Sequence, residues 1–176
     1  MHIFKYIIIF KIALTISLTN VYAKKEPEEL DFLQKVYNGS EQLKKRLIIK
    51  SDTKKILKKI MGERYRKAIF SYWIIDDKTV WILNSIGKYK PITAGFVIKD
   101  CKIESAHVLI YREQIGYEIK YPSFLSQFNG ITLRKDVKLN KYLDNISGAT
   151  LSVNSMDRMG RVALLLNSLV DEKKCN

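Results

Sequence analysis

Metal-binding side chains are scarce in this chain of 176 residues, which has only two cysteines and two histidines. Zinc and iron–sulfur sites need several such ligands, so we expect no metal site. Ser123 and Ser126 lack the Gly-x-Ser-x-Gly context of a serine hydrolase. The chain also has no internal repeat and no low-complexity tract. These absences exclude several classes of metalloprotein, hydrolase and solenoid.

The composition is that of a folded domain. Apolar residues make up 47% of the chain and aromatic residues 11%, which is enough to bury one core and excludes collagen, coiled-coil and disordered chains. Lysine and arginine exceed aspartate and glutamate by 31 to 18, a formal net charge of +13. This excess indicates an anionic partner without identifying it.

Residues 1–23 are predicted to be an export signal. Their apolar stretch between Lys11 and Asn20 is too short to span a bilayer, which needs about 20 apolar residues. Val21 and Ala23 stand at positions minus three and minus one to a cleavage site before Lys24. The alternative is an uncleaved anchor. Both interpretations predict an extracytoplasmic location, in the periplasm or on the outer face of the membrane.

Residues 24–66 are predicted to be a basic segment made of helices. Eleven lysines and arginines lie between positions 44 and 67, opposed only by Asp52 and Glu63. Apolar residues from Ile56 to Met61 have helical spacing, and Gly62 ends that helix. A second helix is predicted from Glu28 to Val36, after a proline at its first turn.

Residues 67–176 are predicted to be a domain with a sheet and a final helix. The run from Ile69 to Ile75 is β-branched and aromatic, with apolar residues on both faces. Further strands are predicted at 79–83, 92–98, 103–111 and 117–121, and a short helix at 123–128. Apolar residues at helical spacing from Met156 to Val170 predict the last helix. The fold class is therefore α+β, a curved antiparallel sheet with a C-terminal helix and small N-terminal helices.

The start of the last helix carries the strongest chemical signal. Ser147, Gly148, Ala149 and Thr150 place a predicted capping serine, small side chains and a hydroxyl where backbone amides are bare. The first-turn amides and the positive end of the helix dipole attract phosphate. Because a short Ser-Gly-Ala-Thr sequence arises easily by chance, a plain helix cap is the alternative.

Two segments together resemble the FMN-binding domain family, which includes the C subunit of the sodium-translocating NADH:quinone oxidoreductase and the G subunit of the Rnf complex. One is the stretch from Asp144 to Ser152, which is similar to the family's flavinylation signature. The other runs from Tyr111 to Ile119, with Glu113 and Gly116 at the family's spacing, and continues through Phe124, Gln127, Phe128 and Gly130. Gln114-Ile115 and Tyr117-Glu118 depart from the family's sequence there.

The resemblance implies a covalent FMN cofactor. It implies that Thr150 carries the FMN through a phosphoester, installed by a flavin transferase that takes FMN from FAD and uses magnesium. The cofactor-binding residues implied or predicted are Thr150, Ala149, Gly148, Ser147, Ser152, Asp144, Glu113 and Gly116. No catalytic residue is expected, because such a protein relays electrons to membrane redox partner proteins instead of acting on its own substrate.

Other interpretations stay open. One is a non-redox binding or scaffold protein with the same fold and no covalent flavin, and another is a small reductase. The basic segment is typical of a solvated helix face, and since no nucleic-acid fold signature is present we expect no nucleic-acid partner. Docking to an acidic redox partner or peripheral contact with an anionic membrane is the intermediate interpretation. Cys101 and Cys175 could pair after export, but the sequence favours one buried and one free cysteine.

Overall fold

The computed structural model describes residues 26–171 and Cys175. The predicted export signal, residues 1–23, lies outside these described residues. Residues 26–171 form four α-helices, α1 (Pro27–Tyr37), α2 (Ser51–Met61), α3 (Pro122–Leu125) and α4 (Thr150–Val170), and five strands, β1 (Gln42–Ile48), β2 (Ile69–Ile75), β3 (Lys78–Ile86), β4 (Pro91–Lys99) and β5 (Lys102–Ile110). The strands form one antiparallel sheet in the order β1-β2-β3-β4-β5. The predicted α+β fold class is confirmed.

Both faces of the sheet are covered, as the apolar pattern of β2 predicts. Phe70 and Tyr72 belong to a large core cluster that also contains residues of α2 and α4, while Trp73 and Ile75 belong to a smaller cluster under α1. α1 packs closely, since a Cβ at Gly95 in β4 would lie 2.4 Å from the Phe32 ring. The register of β4 with β5 shifts twice, which is the kind of irregularity that curves a sheet.

The final helix has the predicted buried face. Met156, Met159, Ala163 and Leu166 are fully buried, because they recur at spacings of three and four along the side of α4 that packs on β3 and β4. None of the helices within the described range is long and apolar enough to cross a membrane.

Three predictions about the strands and the cysteines are wrong. β1 was not predicted, and it places Lys44, Lys45 and Arg46 on an edge strand paired with β2. The segment predicted as a strand at 117–121 is a 3₁₀ turn at Tyr117–Lys120. The third concerns the cysteines, since Cys101 and Cys175 form a disulfide with Cα atoms 5.5 Å apart. This bond joins the β4–β5 turn to the chain just after α4.

Candidate functional site

The two motif segments come together around one pocket of about 490 Å³. Its walls come from the β3–β4 hairpin, the loop after β5, and the first turn of α4. Five of the eight predicted site residues line it: Glu113, Gly148, Ala149, Thr150 and Ser152. The other lining residues are Lys88, Tyr89, Lys90, Arg112, Gln114, Ile115 and Leu151.

Glu113 fixes the β3–β4 hairpin in place. Its carboxylate oxygen Oε1 accepts hydrogen bonds from the backbone amides of Tyr89, at 2.7 Å, and Lys90, at 2.9 Å. The Lys90 amide is the largest influence and lowers the pKa of Glu113, with desolvation opposing it. Gly87 makes room for this contact, because a Cβ there would lie 2.8 Å from the same oxygen. Glu113 therefore shapes the pocket wall through the hairpin backbone.

Gly116 lies behind the pocket, where the two motif segments touch. Its φ of +92° is in the left-handed region, and a Cβ would lie 2.9 Å from both the Ala149 Cβ and the Tyr111 hydroxyl oxygen. The Tyr111 hydroxyl donates to the carbonyl of Ile115 and lies 3.1 Å from the hydroxyl oxygen of Ser152, which is buried. The residue at 116 must therefore be small for the segments to meet.

Thr150 is exposed at the first position of α4 and is one of the residues that line the pocket. Asn145 donates from Nδ2 to Oγ1 of Thr150 over 2.9 Å. This bond uses a lone pair of the hydroxyl oxygen and leaves its proton available to a base. Asn145 is thus a positioning residue that sequence reasoning did not single out, although it lies inside the motif.

The prediction that Ser147 caps the helix is wrong. Ser147 and Gly148 form an exposed turn closed by a hydrogen bond from the Ala149 amide to the Ile146 carbonyl, at 2.9 Å. The φ of +76° at Gly148 ends the turn, so the helix begins later, with Ala149 at its N-cap and no side-chain cap.

Two backbone amides at the start of α4 are left for a ligand. The amides of Ser152 and Val153 both donate to the Ala149 carbonyl, at 2.9 and 3.0 Å. The amides of Thr150 and Leu151 have no protein acceptor within the described part of the chain. Both residues line the pocket, so an anion there would meet two free donors beside the Thr150 hydroxyl.

Asp144 and Ser147 are exposed and lie outside the pocket lining. The backbone amide of Asp144 donates to Oε1 of Gln127 over 2.7 Å. The segment containing Gln127 is itself anchored by Phe128, whose ring packs edge-on against Phe96. The second resemblance segment therefore supports the loop that leads to Thr150.

Cationic side chains on the rim of the pocket were missed by sequence reasoning. Lys88 and Lys90 lie on the β3–β4 hairpin, and Arg112 lies beside Glu113, where it donates to Thr93 Oγ1 at 3.3 Å. Arg158 of α4 is half-buried and connects the helix to the start of this hairpin by donating a hydrogen bond to the Ile86 carbonyl at 2.8 Å. The sequence signal that could have identified the two lysines is the Gly87–Lys90 stretch, in which they flank a tyrosine.

Comparison with known proteins finds solved structures with a similar fold. Neither a protein-family model nor a curated protein matches the sequence. The crystal structure of Shewanella oneidensis NqrC superposes with a TM-score of 0.51 and 16% sequence identity, covering 80% of this chain and 72% of that chain. At this identity the likeness concerns architecture alone. The described domain therefore has the fold of Shewanella oneidensis NqrC.

Proposed function

We propose that this protein is an exported electron carrier that holds FMN through a phosphoester bond to Oγ1 of Thr150. One observation carries the proposal. Residues 112–115 and 148–152, which belong to the two segments that resemble the FMN-binding domain family, line the same pocket although they are more than 30 residues apart in sequence, and Thr150 is among them. The NqrC fold adds support, because NqrC is the C subunit in the family that these segments resemble.

The pocket suits a flavin in size and chemistry. Its volume of about 490 Å³ lies within the range of small-molecule sites, and its surface is mostly apolar with a few convergent polar groups. Tyr89, Ile115 and Leu151 supply exposed apolar surface for an aromatic ring system. FMN would supply the one- and two-electron chemistry, and the protein would supply orientation and electrostatics.

The start of α4 can bind the phosphate group of the FMN. A phosphodiester on Thr150 carries one negative charge, which the free amides of Thr150 and Leu151 and the positive end of the α4 dipole can accept. The lysines of the β3–β4 hairpin and Arg112 add positive charge around the pocket. Covalent attachment keeps a cofactor that would otherwise diffuse away from an exported protein.

Attachment needs a flavin transferase as partner. In that step Oγ1 of Thr150 bonds to the phosphorus of the FMN half of FAD, the bond between the two phosphates breaks, and AMP leaves. The hydroxyl proton passes to a base of the transferase. Asn145 orients Oγ1 for this step, since it donates to the oxygen and leaves its proton free.

We further propose that the carrier works outside the cytoplasm with membrane redox proteins. The Cys101–Cys175 disulfide supports this location, because such bonds persist in oxidising compartments. The predicted signal at residues 1–23 supports it independently.

Intact mass spectrometry tests the attachment. Protein co-expressed and exported with a flavin transferase should gain the mass of one FMN less one water, on the peptide that contains Thr150. Thr150→Val keeps the shape of the side chain and removes only the hydroxyl, so the adduct and the yellow colour should both disappear. Ser147→Ala removes a nearby exposed hydroxyl and should keep the adduct.

Two results would contradict the proposal. One is an adduct that survives Thr150→Val in protein that is still folded. The other is colourless protein of unmodified mass recovered from its native envelope, which would favour the non-redox scaffold interpretation.

A further inference from the structure

A second cavity lies between α4 and the loop of residues 132–142. Its volume is about 290 Å³, and it shares no lining residue with the pocket proposed for the flavin. We call it the α4 cleft, and its lining residues are Arg134, Lys138, Leu139, Lys141, Tyr142, Asn154, Asp157 and Arg161. Four of these eight residues are cations and one is acidic.

The α4 cleft and Thr150 lie on one face of α4. The residues that α4 contributes to the cleft are Asn154, Asp157 and Arg161. They follow Thr150 by four, seven and eleven residues, which places all of them on one side of a helix with about 3.6 residues per turn. At about 1.5 Å per residue, Asn154 lies about 6 Å along the helix axis from Thr150, and Arg161 lies about 16 Å along it. The cleft therefore begins about one helical turn from the acceptor residue.

The opposite wall of the cleft, the loop of residues 132–142, is held in shape by its own contacts. Leu133 and Leu139 pair as an isolated antiparallel bridge, and Leu139 is buried. Arg161 joins this wall to α4 by donating from Nε to the carbonyl of Val137 at 2.6 Å. Because the wall is already ordered, binding of a partner costs little additional conformational entropy.

Positive charge predominates in the cleft without being uniform. Asp157 pairs with Arg161 at 3.3 Å, and Asp136, just outside the lining, pairs with Arg134 at 3.2 Å. Lys141 forms no ion pair within the described part of the chain. Four lining cations are thus opposed by two carboxylates. A surface of mixed sign with a positive excess is complementary to an acidic protein surface, whereas its carboxylates would repel a small free anion.

The apolar side chains of the cleft favour a protein over a bilayer as its occupant. Tyr142 is 86% exposed, whereas Leu139 is buried. A surface that binds a bilayer combines its cations with several apolar side chains that enter the membrane. One exposed tyrosine among cations is instead typical of protein interfaces, in which tyrosine and arginine are enriched.

An enzyme that modifies Thr150 has to cover this part of the surface. Thr150 is exposed, and the transferase must bring the phosphorus of FAD to its hydroxyl. A specific interface covers about 800 Å² on each partner, a patch that extends about 16 Å from its centre. Such a patch centred on Thr150 reaches along the cleft. A redox partner has to approach the flavin in its own pocket, to which the cleft contributes no residue.

We propose that the α4 cleft is the docking site for an acidic surface of the flavin transferase that modifies Thr150. This inference rests on the proposed function, since it names the surface by which the transferase of that function recognises the folded domain. Docking in the cleft extends recognition beyond the residues of the Asp144–Ser152 motif. It also holds Oγ1 of Thr150 in position for attack on FAD.

Rates of flavin attachment to the full exported chain give the first test. With transferase, FAD and magnesium at low salt, Lys138→Glu with Lys141→Glu should lower kcat/KM at least about fivefold, because each reversal turns an attraction into a repulsion. The value of kcat should change less than about twofold, since the reacting groups are untouched. Added salt should reduce the difference between variant and unmodified protein, because it screens exposed charges.

Lys54→Glu with Lys58→Glu is the matched control. It makes the same change in net charge in another basic cavity, of about 230 Å³, that has no lining residue on α4. Because this change is local to α2, kcat/KM should fall less than about twofold. Unchanged thermal unfolding shows that each variant is folded.

Cross-linking locates the docked transferase and gives the second test. The Thr150→Val chain lacks the acceptor hydroxyl, so its complex with transferase, FAD and magnesium cannot proceed to product. A carbodiimide then joins lysine amines to the carboxylates that contact them. Mass spectrometry should find Lys138 or Lys141 joined to aspartate or glutamate of the transferase, and no such links from Lys54 or Lys58.

Four outcomes would overturn the inference. Attachment that is equally fast in the Lys138→Glu/Lys141→Glu variant would contradict it and leave the proposed function intact. Equal losses in this variant and in the control would show that net charge matters and the cleft does not. Cross-links from Lys54 or Lys58 alone would place the transferase elsewhere. Absence of any adduct on the unmodified protein would contradict the proposed attachment, and this inference with it.

Discussion

At Gly116 the loop after β5 touches the first turn of α4, and the contact depends on a missing side chain. The backbone there combines a left-handed φ with close approach to Ala149 and Tyr111. Either feature alone favours glycine. A substitution at residue 116 therefore tests whether the close contact between these two segments stabilises the domain.

Gly116→Ala should destabilise the domain by about 1–3 kcal/mol more than a matched change elsewhere, because the new Cβ overlaps neighbouring atoms. Gly130→Ala is the control, since Gly130 also has positive φ, +77°, but nothing within 4 Å of the new Cβ. Urea unfolding measures the difference. Equal losses in the two variants would show that backbone strain alone matters at Gly116.

Glu113 predicts a pH dependence of stability. The amide hydrogen bonds lower its pKa in the folded state relative to the ordinary value of 4.5, so their contribution is complete above that value. It is lost as the pH falls through the lower, folded-state pKa. Glu113→Gln should therefore lower the melting temperature at neutral pH, and the gap to the unmodified protein should narrow toward pH 3.

Thermal scans across this pH range measure the gap. Glu118→Gln, on the next turn of the chain, removes a carboxylate that makes none of the hairpin contacts and should show no such narrowing. A constant gap for Glu113→Gln would mean that the carboxylate charge does not hold the hairpin.

At the scale of elements, α4 organises the site because it carries both Thr150 and Arg158. Arg158 donates to the Ile86 carbonyl and to the hydroxyl oxygens of Ser85 and Ser155, and so fixes the end of β3 to the helix. The hairpin that bears Lys88 and Lys90 starts at this point. One helix therefore positions the hydroxyl and the cations together.

Arg158→Met should cost about 2 kcal/mol, because it removes several hydrogen bonds to a charged group. Amide hydrogen exchange should speed up at residues 87–90. Arg161→Met is the matched control, since Arg161 donates instead to the Val137 carbonyl at 2.6 Å. It should speed up exchange around Val137 and leave the hairpin protected. Faster exchange around Val137 in Arg158→Met, and at residues 87–90 in Arg161→Met, would contradict the conclusion that Arg158 holds the hairpin.

The elements that the sequence predicted are those with a clear periodic pattern. α1, α2, α4 and strands β2, β4 and β5 have apolar residues at the spacing of their own secondary structure. β1 was missed because an edge strand need not alternate, and Lys44, Lys45 and Arg46 are consecutive and all exposed. The 3₁₀ turn at Tyr117–Lys120 was predicted as a strand because its aromatic and branched residues also suit a sheet.

The site was predicted in part for similar reasons. The motif located Thr150 and its neighbours, because residues that are adjacent in sequence remain close together in space on one helical turn. Lys88, Lys90 and Arg112 reach the pocket only through the pairing of β3 with β4 and the packing of the loop after β5. The Ser147 cap was wrong because the turn that Gly148 completes delays the start of the helix.

At the scale of the whole molecule, the Cys101–Cys175 disulfide closes a loop of 74 residues. That loop contains β5, the pocket-lining residues 112–115 and 148–152, and all of α4, whereas the β3–β4 hairpin lies outside it. Beside it, Asn167 accepts a hydrogen bond from Thr79 at 2.5 Å and donates to the Cys175 sulfur. The far end of α4 is therefore fixed to the sheet.

Reduction should lower the free energy of unfolding by about 4 kcal/mol, because a loop of this length gains that much conformational entropy in the unfolded chain. Urea unfolding of oxidised and reduced protein measures the loss. Cys101→Ser with Cys175→Ser should match the reduced protein and should not respond to reductant. Equal stability of the oxidised and reduced forms would contradict this account.

The open edge of β1 has one more consequence, for contacts between copies of the chain. The other edge of the sheet is partly covered, since the amide of Gly130 donates to the Ile103 carbonyl of β5. On β1, three consecutive cations repel the same strand of a second molecule and so discourage strand-to-strand aggregation. We therefore expect the same run of positive charge to oppose edge-to-edge association of the protein at high concentration.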